Sequence, residues 1–169
     1  IQLGASLTEG LGAGSNPEVG RKAAEESADR ITELLDANTK MLFLTAGMGG
    51  GTGTGAAPVI AEIAREKGIL TVGVVTNPFS TEGGYRKQYA EDGLAELKKY
   101  VDTLLIINND KLIEVYGDLT FTQAFGKANE VLNTATKGIA EVISQHLLVN
   151  IDLNDARKVL ENSGTAVMG

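Results

Sequence analysis

The sequence predicts an α/β fold, a three-layer, Rossmann-like arrangement in which helices cover both faces of a parallel sheet. Three apolar runs, at residues 41–46, 69–76 and 103–108, are typical of strands that are buried on both faces. Stretches with helical spacing separate these runs. The composition, 43% hydrophobic but only 5% aromatic and without Trp, predicts an aliphatic core. A length of 169 residues corresponds to about one domain.

The chain opens on a predicted strand end at residues 1–4, and a first glycine-rich loop follows at residues 10–17. Asn16 is a good N-cap and Pro17 a good first helical residue. The predicted helix carries small or apolar residues at helical spacing, namely Val19, Ala23, Ser27, Ile31 and Leu34. Alone, this pattern indicates an ordinary loop before a helix. With a second glycine loop further on, it predicts one wall of a phosphate site.

The second glycine loop, residues 45–58, joins the strand at 41–46 to an amphipathic helix expected at 59–66. It contains six glycines, at positions 47, 49, 50, 51, 53 and 55. Glycine permits positive φ and a close approach of the backbone to a ligand. The N–H groups at the start of the next helix favour an anion such as phosphate, and Thr52 and Thr54 would add hydroxyls. A purely structural turn is the competing interpretation.

The residues beside this loop exclude two common phosphate motifs. A Walker A loop has Lys and then Ser or Thr after its last glycine, whereas Ala56 follows Gly55 here. No Lys or Arg lies between Thr45 and Ile63, so amides, hydroxyls and a metal ion are expected to hold the ligand. Residues 51–56 fit G-x-G-x-x-A, but the next strand ends without the acid that binds a ribose. This argues against a dinucleotide-dependent oxidoreductase.

The segments after the second and third strands supply further candidates. Glu82 and Arg86 are four residues apart, which indicates either an intrahelical ion pair or a carboxylate for ribose hydroxyls with a cation beside it. Asn109 follows the third strand, in an order that does not match the guanine motif of Ras-like GTPases. A long helix from Phe121 begins with Phe125 and Asn129 one turn apart. This pair could stack on and read a purine, or Phe125 could belong to the core.

Acidic residues follow the long helix. Asn150, Asp152 and Asp155 precede a short helix expected at 156–161. One interpretation is an Asp N-cap that favours the helix dipole. The other is catalytic. Because the long helix should carry this loop to the far end of the domain, these acids could reach only the phosphates of a neighbouring molecule.

Net charge, Cys content and the length of the apolar runs argue against several classes of protein. A net charge of −7 argues against nonspecific binding to nucleic acid or to acidic membranes. No Cys is present, which excludes a disulfide framework and a thiolate nucleophile and fits a cytoplasmic location. No apolar run approaches the ~20 residues of a membrane span, so direct membrane insertion is not expected.

The unbroken run Gly49 to Gly55 resembles the nucleotide-binding loop of tubulin-type GTPases, and the other motifs narrow the match. Together they resemble the FtsZ family, the bacterial tubulin homologues of cell division, over essentially all 169 residues. The resemblance implies a tubulin/FtsZ GTPase fold. It also implies phosphate contacts from Ala13, Gly14, Gly49, Gly50, Gly51, Thr52 and Gly53.

The same resemblance assigns the remaining candidates. It implies that Glu82 and Arg86 lie on the ribose side, and that Asn109, Phe125 and Asn129 lie on the guanine side. Asn150, Asp152 and Asp155 match the loop that activates water in the next subunit's site. No dedicated metal ligands are expected, since Mg²⁺ would accompany GTP or GDP.

The resemblance also implies a domain layout and a cellular role. Residues 1–120 would form a partial GTP-binding domain, 121–147 the central helix, and 148–169 the catalytic loop and the start of a second domain. The family's first strand, loop and helix and its C-terminal domain are expected to be absent, which makes the chain a fragment. The implied function is head-to-tail filament formation with GTP hydrolysis at the midcell division site, with division-ring partner proteins. The alternative is a fragment that binds GTP weakly and only caps or assembles filaments.

Overall fold

The computed structural model describes residues 1–148, 153–161 and 163–168. Its sheet has four parallel strands in sequence order, β1 (Met41–Gly47), β2 (Leu70–Asn77), β3 (Thr103–Asn108) and β4 (Gly164–Met168). Met41 is paired with Leu70, Val72 with Thr103, and Thr103 with Gly164. The predicted α/β parallel sheet is confirmed, and its first three strands lie within one residue of the expected positions. The sequence interpretation missed β4.

Helices and turns connect these strands. In chain order they are α1 (Ala5–Thr8), α2 (Pro17–Glu26), α3 (Ala28–Leu34), α4 (Thr52–Glu66), a 3₁₀ turn (Ser80–Glu82), α5 (Gly84–Leu97), α6 (Asn109–Tyr116), α7 (Phe121–Leu148) and α8 (Leu153–Leu160). Within the described ranges, no helix is both long enough and apolar enough to span a bilayer.

The sheet is the middle of three layers. On one face, Leu44, Val75 and Leu104 pack against α4 and α5. On the other face, Val72 and Val74 pack against the apolar stripe of α7. Burying one such aliphatic side chain contributes about 1.5–3 kcal/mol. The central strand β2, buried from Leu70 to Thr76, therefore anchors the fold.

The first forty residues differ from the sequence prediction in two ways. No strand forms at residues 1–4; instead Gly4 takes φ +60° and packs against Ala23, where a Cβ would clash. The predicted single helix is broken at Ser27, whose Oγ accepts a hydrogen bond from the N–H of Gly4 (2.9 Å). After this break the buried face shifts by one residue, so that Leu35 is buried and Leu34 is exposed.

Candidate functional site

Three loops converge where the parallel strands finish, at Gly47, Asn77 and Asn108. We call this side of the sheet the carboxyl edge, and the side where β1–β3 begin the amino edge. The N–H of Met48 donates to the carbonyl oxygen of Thr76 (2.9 Å), which holds the loop after β1 beside the end of β2. Ligands of open α/β sheets bind at such an edge.

The two glycine loops touch one another at this edge. A Cβ added to Gly51 would lie 2.6 Å from the Cβ of Ala13 and 2.8 Å from the backbone nitrogen of Asn16. Asn16 is the N-cap of α2, because its side chain accepts a hydrogen bond from the N–H of Glu18 (3.0 Å), and Pro17 begins the helix. The structure thus brings together the two walls that the sequence suggested.

The second glycine loop is shorter than expected, because α4 begins at Thr52 rather than near Val59. Gly53 and Gly55 therefore lie inside a helix. A Cβ on Gly53 would clash with the carbonyl oxygen of Gly47, and one on Gly55 with that of Pro17. These glycines allow close backbone packing, and the phosphate contact expected from Gly53 stays a prediction.

The two threonines of the loop have different environments. Thr52 is exposed in the first turn of α4. Thr54 is only 4% exposed, and its Oγ1 accepts a hydrogen bond from the N–H of Gly49 (2.8 Å). The expectation that Thr54 offers its hydroxyl to a ligand is wrong, since that hydroxyl stabilises the loop. Gly50 stays open, with Arg86 Nη1 3.9 Å from its Cβ position.

Arg86 joins the two loops to the third. Its Nη2 donates to the Oγ of Ser15 (3.4 Å), and its Nη1 lies 3.6 Å from Oε1 of Glu82. The sequence shows no cation within the second glycine loop, yet the fold places this guanidinium beside both loops. Sequence reasoning missed this because the contact joins residues 71 positions apart. The close packing of α5 on Gly49, whose Cβ position is 2.8 Å from the carbonyl oxygen of Arg86, enforces it.

Glu82 pairs with Arg86, as one of the two interpretations expected, but Glu82 lies in a 3₁₀ turn rather than in a helix. Its Oε2 accepts a hydrogen bond from the N–H of Phe79 (2.8 Å), and its side chain is 11% exposed. The carboxylate therefore holds the loop after β2. Its position at the carboxyl edge leaves the ribose role open.

Asn109 is buried at the start of α6, with 3% of its surface exposed. Among the described residues, its Oδ1 is a buried acceptor without a hydrogen-bond partner, and so is Oδ1 of Asn77 at the end of β2. Neighbouring Asp110 accepts a hydrogen bond from the N–H of Ser80 (2.8 Å), which ties α6 to the 3₁₀ turn. An unsatisfied acceptor calls for an explanation, and a ligand N–H is one.

Phe125 and Asn129 lie in the first turns of α7. The Phe125 ring meets Phe79 edge-on at 5.2 Å between centroids, and Phe121 at 4.8 Å. It packs at the rim of a small buried cluster while remaining partly exposed, and Asn129 is exposed one turn on. Phe125 is thus part of a core cluster and also retains free surface.

Of the predicted acidic loop, Asn150 and Asp152 lie outside the described residues, and Asp155 lies in α8. Arg157 of α8 donates to the carbonyl oxygen of Gly68 (2.9 Å), just before β2. Thr103, the first residue of β3, donates through Oγ1 to the carbonyl oxygen of Leu160 (2.9 Å). The second half of α8 therefore lies at the amino edge, opposite the glycine loops.

The part of the chain that the structure describes contains no group of three or more His, Cys, Asp or Glu residues that could hold a metal ion. At the start of α2, the hydrogen bond from Arg21 lowers the pKa of the Glu18 carboxyl.

Comparison with known proteins gives consistent matches. Residues 1–117 match the family described as "Tubulin/FtsZ family, GTPase domain". The cell division proteins FtsZ of Wigglesworthia glossinidia brevipalpis and Coxiella burnetii are 54% and 55% identical to the whole chain. The chain spans 44% of the length of each of these relatives.

Solved structures agree with this result. The structure titled "FtsZ dimer, empty (M. jannaschii)" superposes with a TM-score of 0.91 at 47% identity, covering 96% of this chain and 47% of that one. CetZ2 from Haloferax volcanii, described as a GTPγS-bound protofilament, has a TM-score of 0.78 at 22% identity, covering 99% of this chain and 49% of that one. At that identity the likeness concerns the fold alone.

Proposed function

Because the chain belongs to the Tubulin/FtsZ family, we propose that it binds GTP at its carboxyl edge and takes part in GTP hydrolysis in a filament-forming cell-division protein. One observation carries the proposal: two glycine loops touch at Gly51, and the Arg86 guanidinium lies beside both. Open backbone and a cation at the end of a parallel sheet suit a polyphosphate.

The phosphates would lie against Ala13 and Gly14 of the first loop and Gly49 to Gly53 of the second. Amides there donate to phosphate oxygens, and Arg86 offsets part of their charge. Thr52, exposed at the start of α4, adds a hydroxyl. Mg²⁺ would be held by phosphate oxygens and water, in keeping with its preference for oxygen ligands and retained waters.

The nucleoside would extend towards the loops after β2 and β3. Glu82 accepts hydrogen bonds from ribose hydroxyls, and the exposed part of Phe125 stacks on the base. Asn109 and Asn129 read the guanine edge. The unsatisfied Oδ1 of Asn109 supports this assignment, because guanine N–H groups would supply the missing donor.

Hydrolysis would need a second molecule. In this proposal Asn150, Asp152 and Asp155 of one subunit polarise water towards the γ-phosphate bound by the next. The contact is heterologous and does not close, so it builds filaments. Support comes from the α8 contacts with Gly68 and Thr103, at the opposite edge from the glycine loops.

The same proposal covers domains and cellular role. Residues 1–120 would serve as the nucleotide-binding part, 121–147 as the central helix, and 148–169 as the catalytic loop with the start of another domain. The filament would act in the cytoplasm at midcell with division-ring partners and without inserting into the membrane itself.

A titration with a fluorescent GTP analogue tests nucleotide binding by this chain. We expect saturable binding that GTP and GDP compete away and ATP does not. Arg86→Ala should weaken it about tenfold or more, since a charge-assisted contact is worth ~1.5–3 kcal/mol. Lys87→Ala, its exposed neighbour, should leave it unchanged. Equal affinity in both variants would remove Arg86 from the site.

A second experiment tests the shared active site. In a full-length FtsZ relative, turnover per molecule should rise with protein concentration, and the change matching Asp155→Ala should preserve GTP binding while nearly abolishing turnover. Concentration-independent turnover would contradict it. If this chain binds no GTP yet blocks filament growth of that relative in light scattering, the capping alternative is correct.

A further inference from the structure

A groove beside the second glycine loop lies outside the proposed GTP contacts. It encloses ≈ 330 Å³ between the start of α2, the first half of α4 and the second half of α5. Its lining includes the apolar side chains of Pro17, Pro58 and Tyr89, and its carboxylates are those of Glu18, Asp92 and Glu96. Concave, largely apolar sites with a few polar groups are typical of small-molecule binding.

Backbone packing holds the groove open. Helix α2 meets α4 at Gly55, where a Cβ would clash with the carbonyl oxygen of Pro17. Helix α5 meets α4 at Gly93, whose Cβ would lie 2.5 Å from Cγ2 of Thr54. Both helices are thus drawn onto α4 at glycine contacts, while the space between α2 and α5 remains unfilled.

The groove presents hydrogen-bond acceptors. Pro58 lacks an N–H, so the carbonyl of Thr54 receives no helical hydrogen bond from that position. This oxygen lies 3.2 Å from the Cβ position of Gly93, at the groove lining. Asp92 accepts a hydrogen bond from Gln88 (3.1 Å), and among the described residues no cation is paired with it.

The charge of the lining is negative. The lining carries three carboxylates and the guanidinium of Arg21. Glu18 pairs with Arg21 and Lys22, and Glu96 pairs with Lys99, so Asp92 is the lining carboxylate for which the described residues show no ion pair. Tyr89, a residue that is 36% exposed, adds an aromatic ring that could stack on a cation. We propose that this groove is a ligand site for a small amidinium, guanidinium or ammonium compound with a compact apolar body.

Occupancy of the groove should be felt at the second glycine loop. Thr54 lines the groove, and its Oγ1 accepts a hydrogen bond from the N–H of Gly49. Asn16, which also lines the groove, lies against Gly51. A ligand in the groove therefore contacts a residue that positions the loop. The cation site itself does not depend on the GTP proposal.

The test is a chemical-shift titration of the ¹⁵N-labelled chain with benzamidine, using benzamide as a neutral probe of the same shape. We expect saturable shifts at Gly55 and Gly93, with a smaller shift at Gly49. Asp92→Asn should weaken benzamidine binding about tenfold, because it removes a charge-assisted hydrogen bond. Glu91→Gln, an exposed neighbour outside the groove, should not change it. Tyr89→Ala should weaken both probes.

Each outcome decides the proposal. Equal binding of benzamidine and benzamide would show an apolar groove without cation preference and would overturn it. Equal weakening by Asp92→Asn and Glu91→Gln would place binding elsewhere. Shifts at Gly55 and Gly93 without one at Gly49 would retain the site and reject the coupling. Circular dichroism of each variant separates these results from loss of the fold.

Discussion

The two glycine loops have similar compositions and different physical reasons for them. In the first loop, Gly12 and Gly14 have φ of +79° and +57°, and a Cβ on either would meet no atom within 4 Å. In the second, Gly51, Gly53 and Gly55 have no positive φ, yet a Cβ on any of them would clash with backbone. Apart from Gly49, which has φ +100°, the second loop uses these glycines for close packing, whereas the first loop uses its glycines for their backbone dihedrals.

This difference shows that a glycine-rich pattern arises for two separate reasons, which are positive φ and a lack of space for a Cβ. In an open loop, a glycine with positive φ has space for a side chain, but the left-handed backbone is sterically unfavourable for a residue with a Cβ. At a crowded helix start, the backbone dihedrals suit any residue, but the packing leaves no room for a methyl group. The same Gly→Ala change should therefore have different costs in the two loops.

The largest expected effect is at Gly55. Gly55→Ala should lower the free energy of unfolding by about 3 kcal/mol or more, because overpacking against backbone cannot be relieved by a rotamer change. Gly126→Ala is the matched control, since it is also within a helix and its Cβ would meet no atom within 4 Å. It should stabilise by about 0.5–1 kcal/mol. Urea denaturation measures both, and a neutral Gly55→Ala would contradict the packing argument.

A smaller effect is expected at Thr54, which links the crowded loop to its only positive-φ glycine. Thr54→Val should cost about 1–3 kcal/mol, because the buried N–H of Gly49 loses its acceptor. Thr54→Ser keeps the hydroxyl and should restore most of the loss. Thermal unfolding of the two variants makes the comparison. A Val variant as stable as the parent would contradict a role for the hydroxyl, and a Ser variant less stable than the Val variant would assign the larger cost to the lost methyl group.

In the open loop, Gly14→Ala should cost about 1 kcal/mol, the difference between the left-handed backbone penalty and the lower entropy of the unfolded chain. The same urea series measures it. A loss as large as that of Gly55→Ala would mean that the first loop is crowded in solution. Because Gly14 is a proposed phosphate contact, the variant should also weaken binding of the GTP analogue.

Much of the fold could be predicted from the sequence because its signals are local. The strands at Met41, Leu70 and Thr103 are uninterrupted apolar runs, and the Asn16–Pro17 cap uses side chains next to one another in sequence. The strand β4 and the break at Ser27 could not be predicted in this way. They depend on pairing with β3 and on the contact with Gly4, over long distances along the chain.

The same distinction between local and long-range signals applies to the residues of the candidate site. Glycine content and the Glu82–Arg86 spacing indicated which residues to consider. The placement of the Arg86 guanidinium beside Ser15, and the use of the Thr54 hydroxyl within the loop, required the packing of α5 on the second glycine loop. Local sequence patterns thus identified the candidate residues, whereas tertiary contacts determine which groups each of them binds.

The smallest expected effect concerns the helix that follows the first loop. The hydrogen bond from Arg21 lowers the pKa of Glu18 from its ordinary value of 4.5. A lowered folded-state pKa means that the stabilisation is present above pH 4.5 and is lost as the pH falls through the folded pKa. Glu18→Gln should therefore be slightly less stable than the parent at pH 7, and the difference should shrink as the pH falls through the folded-state pKa of Glu18. High salt should shrink the difference, since both groups are exposed. Arg21 also pairs with Glu25, which limits the loss. A difference in melting temperature that stays constant throughout the acid range would contradict an ionic origin.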